Sequence, residues 1–156
     1  MVGFGYDSHR FSPEGKLFIG GIEIDSGFGV VAHSDGDVLI HALIDALLGA
    51  CCLGDIGEHF PDSEAKYKSI SSSLLLSKIL DLIKKENFII TNIDCTIVLE
   101  HPKLMNYKYK IKENLGLLCD LPANRINIKA KSNEKMGFIG RGEGIVAFCI
   151  CQIEKN

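Results

Sequence analysis

Apolar residues follow two different periods along this chain, and each switch of period marks an element. Residues 2–11 read as a strand, with Asp7 and His9 on one face because side chains alternate along extended backbone. The stretch LFIGGIEI at 17–24 holds two short apolar runs around Gly20 and Gly21, the pattern of a hairpin. Residues 32–50, AHSDGDVLIHALIDALLGA, read as one helix that is apolar nearly all round. Val38, Leu39, Ile40, Leu43, Ile44, Leu47 and Leu48 point in almost every direction, so this helix belongs in the interior. One polar line interrupts it: Asp37, His41 and Asp45, four apart and therefore stacked along a single stripe. Ser34 followed by Asp37 predicts a capping box at its start.

Residues 51–64 carry Gly54, Gly57 and Pro61 and are expected to be irregular. Ser71–Asn87 predicts a second helix, with Leu75, Ile79, Leu82 and Ile83 as its apolar stripe. Alternation predicts a strand over 88–100, and a third helix follows from about Lys103 to Leu118. Two last strands, 125–132 and 144–153, are joined by a glycine-rich segment. The order predicts one α+β domain over 1–156: a mixed four-stranded sheet plus a short hairpin, with helices packed mainly on one face.

Composition changes this picture little. Charged residues make up 24%, hydrophobic ones 46%, and the net charge is −3, which gives no electrostatic reason for nucleic-acid or anionic-membrane binding. No apolar run approaches the ~20 residues of a spanning helix. The N-terminal residues enter strand-like sequence directly, so a cytoplasmic protein is expected, or an organellar stromal one had a leader been removed. The six cysteines, Cys51, Cys52, Cys95, Cys119, Cys149 and Cys151, form no C-x-x-C pair and are expected as buried free thiols.

Charged groups on a buried helix are costly unless paired or bound to a metal, which makes the polar stripe the first chemical candidate. Asp7 and His9 from the first strand and His41 from the helix supply three ligands and leave a fourth position open, as at a catalytic zinc site. Manganese or iron suits the same donors. Asp45, one turn past His41, is placed to orient a ligand imidazole. Two loops add further candidates. GDIGEHFPD at 54–62 separates acids with small residues, which suits either an anion-binding loop or an ordinary surface turn. In KAKSNEKMGFIGRGEG at 129–144, Glu134 is a candidate ligand for a divalent cation beside phosphate oxygens. Lys129, Lys131 and Lys135 read equally as a solvated face, and the glycines are too irregular for a Walker or dinucleotide fingerprint.

Taken together, GYDSHRF at 5–11, IGGIEI at 19–24, AHSDGDVLIHALIDALLGA at 32–50, LGDIGEHFPD at 53–62 and EKMGFIGRGEG at 134–144 resemble the 2-C-methyl-D-erythritol 2,4-cyclodiphosphate synthases of the non-mevalonate isoprenoid pathway. The resemblance runs nearly end to end. It implies a homotrimer with intersubunit active sites that converts 4-diphosphocytidyl-2-C-methyl-D-erythritol 2-phosphate to the cyclic diphosphate and CMP. It further implies zinc, or another divalent ion, on Asp7, His9 and His41, and magnesium or manganese bound with substrate at Glu134. His33 and Ser34 match positions near the substrate phosphates. Asp55, Ile56 and Gly57 match those holding the erythritol and phosphate portion, and Phe60, Pro61, Asp62, Ser63 and Glu64 line the same region. Leu99, Lys103, Leu104 and Met105, with Ala130, Lys131, Ser132 and Asn133, match the cytidine side across the interface. Phe138 and Arg141 match further binding positions, and Arg141 with Glu143 borders a central trimer cavity that accepts an isoprenoid diphosphate. His33 and Ser132 are the implied transition-state stabilisers.

The chain departs from the family pattern at Lys131, Ser132 and Asn133, which replace a run of threonines, at Glu64, which replaces an aspartate, and at His101 before Pro102. Two other readings of the same residues stay open. One is a zinc phosphohydrolase with a metal-activated water. The other is a non-catalytic trimer that binds metal or an isoprenoid.

Overall fold

A computed structural model describes residues 1–61, 63–67 and 69–156. Its main sheet has the strand order β4-β1-β7-β5-β6, with β1 Val2–Ser12, β4 Gly29–Val30, β5 Phe88–Val98, β6 Ile126–Lys131 and β7 Gly144–Lys155. Only β5 and β6 run parallel; the other pairs are antiparallel. The sheet thus has five strands where four were expected. The extra strand is two residues long, pairing with Phe11 and Ser12, and is too short to show alternation in the sequence. The expected hairpin is present as β2 Leu17–Ile19 and β3 Ile22–Ile24, with Gly20 and Gly21 both at positive φ (60° and 77°) in its turn.

The central helix, α1 Val38–Cys51, lies against β1, and nearly all of its side chains are buried. Two glycines make this approach possible. A Cβ on Gly3 would stand 1.8 Å from the Ala46 carbonyl oxygen, and one on Gly5 1.8 Å from that of Ala42. Helix and strand are therefore close enough that the two residues continuing the inward face of β1, Asp7 and His9, meet the first turns of α1. Further helices are α2 Ile56–His59, α3 Ser72–Lys85, α4 Lys108–Cys119 and α5 Gly137–Gly140. The short α2 falls in the segment expected to be irregular, and α4 starts five residues later than expected.

The N-terminus of α1 corrects a second expectation. Residues 32–37 are not helical, since Gly36 sits at φ 70° and Asp37 is extended. The N-cap is Asp37, whose Oδ1 accepts the Ile40 N–H at 3.0 Å, so the Ser34–Asp37 capping box does not form. Asp37 also ties the hairpin to the helix: Gly20 N–H donates to its Oδ1 at 2.9 Å and Gly21 N–H to its Oδ2 at 2.6 Å.

Helices cover the inward face of the sheet, where Ile93, Cys95, Ile97, Ile145, Ala147 and Cys149 join the core. On the other face Val2, Phe4, Tyr6 and Ile150 are exposed, and Phe148 packs between the Phe4 and Tyr6 rings. All six cysteines are free; Cys95, Cys119, Cys149 and Cys151 are buried, Cys51 is half-buried and Cys52 exposed. Burial pushes the Cys119 and Cys151 thiols up to about 12, which keeps them protonated and unreactive. No helix among the described residues is long and apolar enough to cross a membrane.

Candidate metal centre

Three donor atoms converge where β1 meets α1. Asp7 Oδ2 is 3.1 Å from His9 Nε2 and 3.1 Å from His41 Nδ1, and the two ring nitrogens are 3.3 Å apart. Donor atoms on a tetrahedral zinc, with bonds of ~2.0–2.1 Å, stand roughly 3.3 Å from each other. The triangle therefore fits such an ion in both donor type and size. These three residues are also the one cluster among the described residues that brings three such ligand atoms together.

The electrostatics suit a cation. Burial opposes the charged form of Asp7, yet hydrogen bonds and charge from His41 and His9 outweigh it and hold the carboxyl at about 2. Burial disfavours the His41 imidazolium, but Asp7 beside it, with Asp37 and Asp35 further off, raises its pKa above the ordinary value. In the metal-free protein this is a cluster of opposite charges; a divalent cation displaces the proton and takes the same contacts.

The polar stripe of α1 divides into three separate jobs. Asp37 caps the helix, and burial pushes its carboxyl up despite the three N–H groups it accepts. His41 faces Asp7 and His9. Asp45 does not orient His41 as expected; its Oδ1 accepts the Ile56 N–H at 2.8 Å and so anchors the start of α2. Four residues along a helix place side chains on one stripe but not at one destination, because the neighbouring elements differ.

Above the triad lies an open cleft of about 320 Å³, lined by His9, His33, Ser34, His41, Ile56, Gly57 and Phe60. These were expected from the sequence. Val31, Ala32, Tyr67, Ile70 and Leu75 complete the lining and were not expected; they read as loop and core residues until the chain folds. Asp55 caps α2 through Glu58 N–H at 3.0 Å and is exposed beside the cleft rather than in its wall. Pro61, Ser63 and Glu64 likewise lie outside this lining, Glu64 being paired with Lys66. Asp62 lies outside the described residues.

All but Asn133 of the residues matched to a cytidine side form a second cleft of about 180 Å³. Leu99, Lys103, Leu104, Met105, Ala130, Lys131 and Ser132 line it, joined by Pro102 and by Lys108, which the sequence placed inside a longer helix. The two clefts share no residue. Beside the second, Ser132 Oγ donates to Glu134 Oε1 at 2.9 Å. Glu100 steadies this loop by accepting the Asn133 N–H at 2.9 Å and the Lys135 N–H at 3.2 Å. Glu134 is exposed and contributes one carboxylate, so a cation there needs further oxygens from a phosphate. Phe138 is exposed on α5, away from both linings, and Arg141 Nε donates to Glu143 Oε1 at 2.5 Å.

The YgbB family matches residues 1–154. A 2-C-methyl-D-erythritol 2,4-cyclodiphosphate synthase from Brachyspira hyodysenteriae is 51% identical over 155 residues, covering 99% of this chain and 98% of the relative. A solved 2C-methyl-D-erythritol-2,4-cyclodiphosphate synthase in its CDP-bound form superposes with a TM-score of 0.92 at 32% identity, over 99% of this chain and all of that one. The bifunctional IspDF from Campylobacter jejuni gives a TM-score of 0.96 at 41% identity; the match covers 99% of this chain and 42% of the longer one.

Proposed function

This chain belongs to the YgbB family, and from that premise we propose that it cyclises 4-diphosphocytidyl-2-C-methyl-D-erythritol 2-phosphate, releasing CMP, in non-mevalonate isoprenoid biosynthesis. The product is 2-C-methyl-D-erythritol 2,4-cyclodiphosphate, as in the name of relatives that are half identical over nearly their whole length. The observation that carries the reading to this chain's own residues is the Asp7–His9–His41 triangle, whose two histidines line an open cleft.

The reaction is an intramolecular phosphoryl transfer, a phosphorus–oxygen lyase step. An oxygen of the 2-phosphate bonds to the β-phosphorus, the bond from that phosphorus to the oxygen bridging to CMP breaks, and no water enters. The nucleophile needs no strong base, because a phosphate monoester is largely a dianion at neutral pH. The difficulty lies in bringing two anions into line, so positioning and charge neutralisation dominate. Asp7, His9 and His41 would hold a divalent cation, with zinc the best match, which supplies Lewis-acid polarisation of the diphosphate when bound. His33 and Ser34, on the wall of the same cleft, orient phosphate oxygens by hydrogen bonds. Ile56, Gly57 and Phe60 enclose the erythritol portion. Asp55, Pro61, Ser63 and Glu64, outside that lining, belong to the same reading, as does Asp62, which lies outside the described residues. Ser132 is a transition-state stabiliser with His33, donating to phosphate oxygens, and Glu134 would hold a magnesium or manganese ion that supplies charge neutralisation on the leaving side.

The second cleft is assigned to the cytidine end, through Leu99, Lys103, Leu104, Met105, Ala130 and Lys131, with Asn133, Phe138 and Arg141 as outlying contacts. A homotrimer belongs to the same proposal. Two disjoint clefts on one chain are joined into one site when a neighbouring subunit brings its second cleft to the first. The exposed Val2, Phe4, Tyr6 and Ile150 give the outer sheet face the apolar character of a self-association surface. An isoprenoid diphosphate in the central cavity would meet Arg141, which already pairs with Glu143.

One assay decides the reaction. Purified protein is incubated with the cytidyl substrate and magnesium in 18O-labelled water, and the phosphorus products are identified by NMR. The cyclic diphosphate and CMP, both without label, are expected. Labelled, open-chain phosphates would instead make the protein a hydrolase, and no CMP release would make it a binding protein.

A further inference from the structure

His41 is held at both ring nitrogens by groups of different chemistry. Nδ1 faces Asp7 and His9, while Nε2 faces two hydroxyls, Ser72 Oγ at 2.9 Å and Ser34 Oγ at 3.2 Å. Ser72 is the first residue of α3 and is fully buried. It is fastened twice to Asp35: its hydroxyl donates to Oδ1, and its backbone N–H donates to Oδ2 at 3.0 Å. Asp35 is itself fixed, since its Oδ1 also accepts the Asp37 N–H at 3.2 Å and its own N–H donates to the Ile70 carbonyl at 3.2 Å.

The direction of each bond follows from what each group can do. A carboxylate only accepts, so the single hydroxyl proton of Ser72 is committed to Asp35. What Ser72 presents to His41 is then a lone pair, and the ring must supply the proton from Nε2. Ser34 alone would leave the matter open, because its hydroxyl can turn to donate or to accept. Nδ1 faces the Asp7 carboxylate, which also only accepts, so in the metal-free protein that nitrogen carries a proton too; a cation on Asp7 and His9 displaces the Nδ1 proton while Nε2–H stays on Ser72. We propose that Asp35 and Ser72 are positioning residues that fix the tautomer and ring orientation of His41, so that Nδ1 is ready for a cation. The proposal rests on the metal reading above, and it moves to Asp35 and Ser72 the orienting role that the sequence suggested for Asp45. A partner of this kind on the far nitrogen of a ligand histidine typically affects metal affinity about 10- to 100-fold.

Two measurements test it in the full-length protein. The first reads, in the zinc-loaded protein, which His41 nitrogen keeps its proton and how fast that proton exchanges, by long-range 15N–1H correlation. The second measures zinc affinity by competition with a chromophoric chelator for wild type, Ser72→Ala and Asp35→Asn. Asp35→Asn keeps the side-chain size but offers one acceptor oxygen where Asp35 has two, so it cannot serve the Ser72 hydroxyl, the Ser72 N–H and the Asp37 N–H together, and the Ser72 lone pair that receives Nε2–H is no longer fixed. The expected results are zinc on Nδ1 opposite a slowly exchanging Nε2–H in the wild type, faster exchange of that proton in Asp35→Asn, and zinc binding about 10- to 100-fold weaker in both variants. A merely structural role would lower the unfolding temperature and leave the Nε2–H exchange where it was. Zinc on Nε2 in the wild type, or zinc affinities within twofold of wild type in folded variants, overturns the proposal. Should Ser72→Ala not fold, the wild-type tautomer and Asp35→Asn still decide. A wild type that takes up no zinc would instead remove the metal reading, and the exchange of the Nε2 proton in the metal-free protein, compared with Asp35→Asn, would continue to judge the Asp35–Ser72 pair on its own.

Discussion

A Cβ on Gly5 would lie 1.8 Å from the carbonyl oxygen of Ala42, so the first strand and the central helix touch backbone to backbone. Asp7 and His9 lie two and four residues further along the same face of that strand, and His41 directly precedes Ala42 in the helix. The candidate metal triad is therefore set by a contact that contains none of its three members.

Gly5→Ala is accordingly expected to damage both stability and site. The obstacle is main chain, which cannot rotate away, so the cost falls at the upper end for overpacking, about 3 kcal/mol. Urea denaturation reads the loss of stability, and weakened zinc binding in the surviving folded protein reads the displaced triad. Full zinc affinity in Gly5→Ala would show that the triad does not depend on this approach.

Asp37→Ala removes a fully buried acceptor for Gly20, Gly21 and Ile40 at once. A lost N-cap costs ~1 kcal/mol, and buried N–H groups left without partners add about 1–3 kcal/mol. We expect a total near 3 kcal/mol in chemical denaturation, without loss of the metal ligands themselves. A change under 1 kcal/mol would mean that water or a rearranged hairpin replaces all three bonds.

His41→Ala should abolish retention of the ion and cyclisation together, since Asp7 and His9 alone make a two-ligand remainder. Metal analysis after gel filtration, paired with the CMP-release assay, checks both. Full activity in the metal-free variant contradicts the assignment.

The pH dependence of the triad has a definite sign. Asp7, held at about 2 against an ordinary 3.8, stabilises the metal-free fold above the ordinary value and stops doing so as pH falls through about 2. His41 is shifted upward, so its pairing stabilises the fold below the ordinary 6.5 and is lost as pH rises through the raised value. A cation competes with that His41 proton. Zinc affinity should thus fall about tenfold per pH unit once the solution is more acidic than the His41 pKa, because one proton is displaced per ion. Chelator competition across neutral and mildly acidic pH measures this, and a flat profile would place the ion elsewhere.

Glu134→Gln should leave zinc affinity unchanged and raise the magnesium needed for half-maximal cyclisation by about tenfold or more, since a hard cation loses its one charged protein oxygen. A magnesium titration of CMP release provides the check, and coincident curves would remove Glu134 from the leaving side.

The reach of the sequence differs from element to element. Alternation in 2–11 was enough to put Asp7 and His9 on one face, and the apolar girth of 38–48 was enough to bury the helix that carries His41. Their meeting was a chemical guess, because spacing says nothing about which strand a helix lies on. That information resides in Gly3, Gly5, Ala42 and Ala46, whose small size matters only once the two elements are in contact. The strand at Gly29–Val30 went unseen because two residues have no period. The capping box and the orienting role of Asp45 failed for a related reason: a polar side chain at a helix end takes whatever donor its neighbours offer, and those neighbours were the Gly20–Gly21 turn and Ile56.

By itself, then, the sequence determined the long strands and helices, which of their faces are apolar, and which residues have the chemistry of metal ligands and phosphate contacts. All of these follow from properties of single residues repeated at a local period. Only the tertiary structure decided that Asp7 Oδ2, His9 Nε2 and His41 Nδ1 close to within 3.3 Å, and that Ser72 and Asp35 arrive from another helix and a loop to hold the far side of His41. Donor geometry is a sum over contacts between distant segments, and no local pattern records that sum.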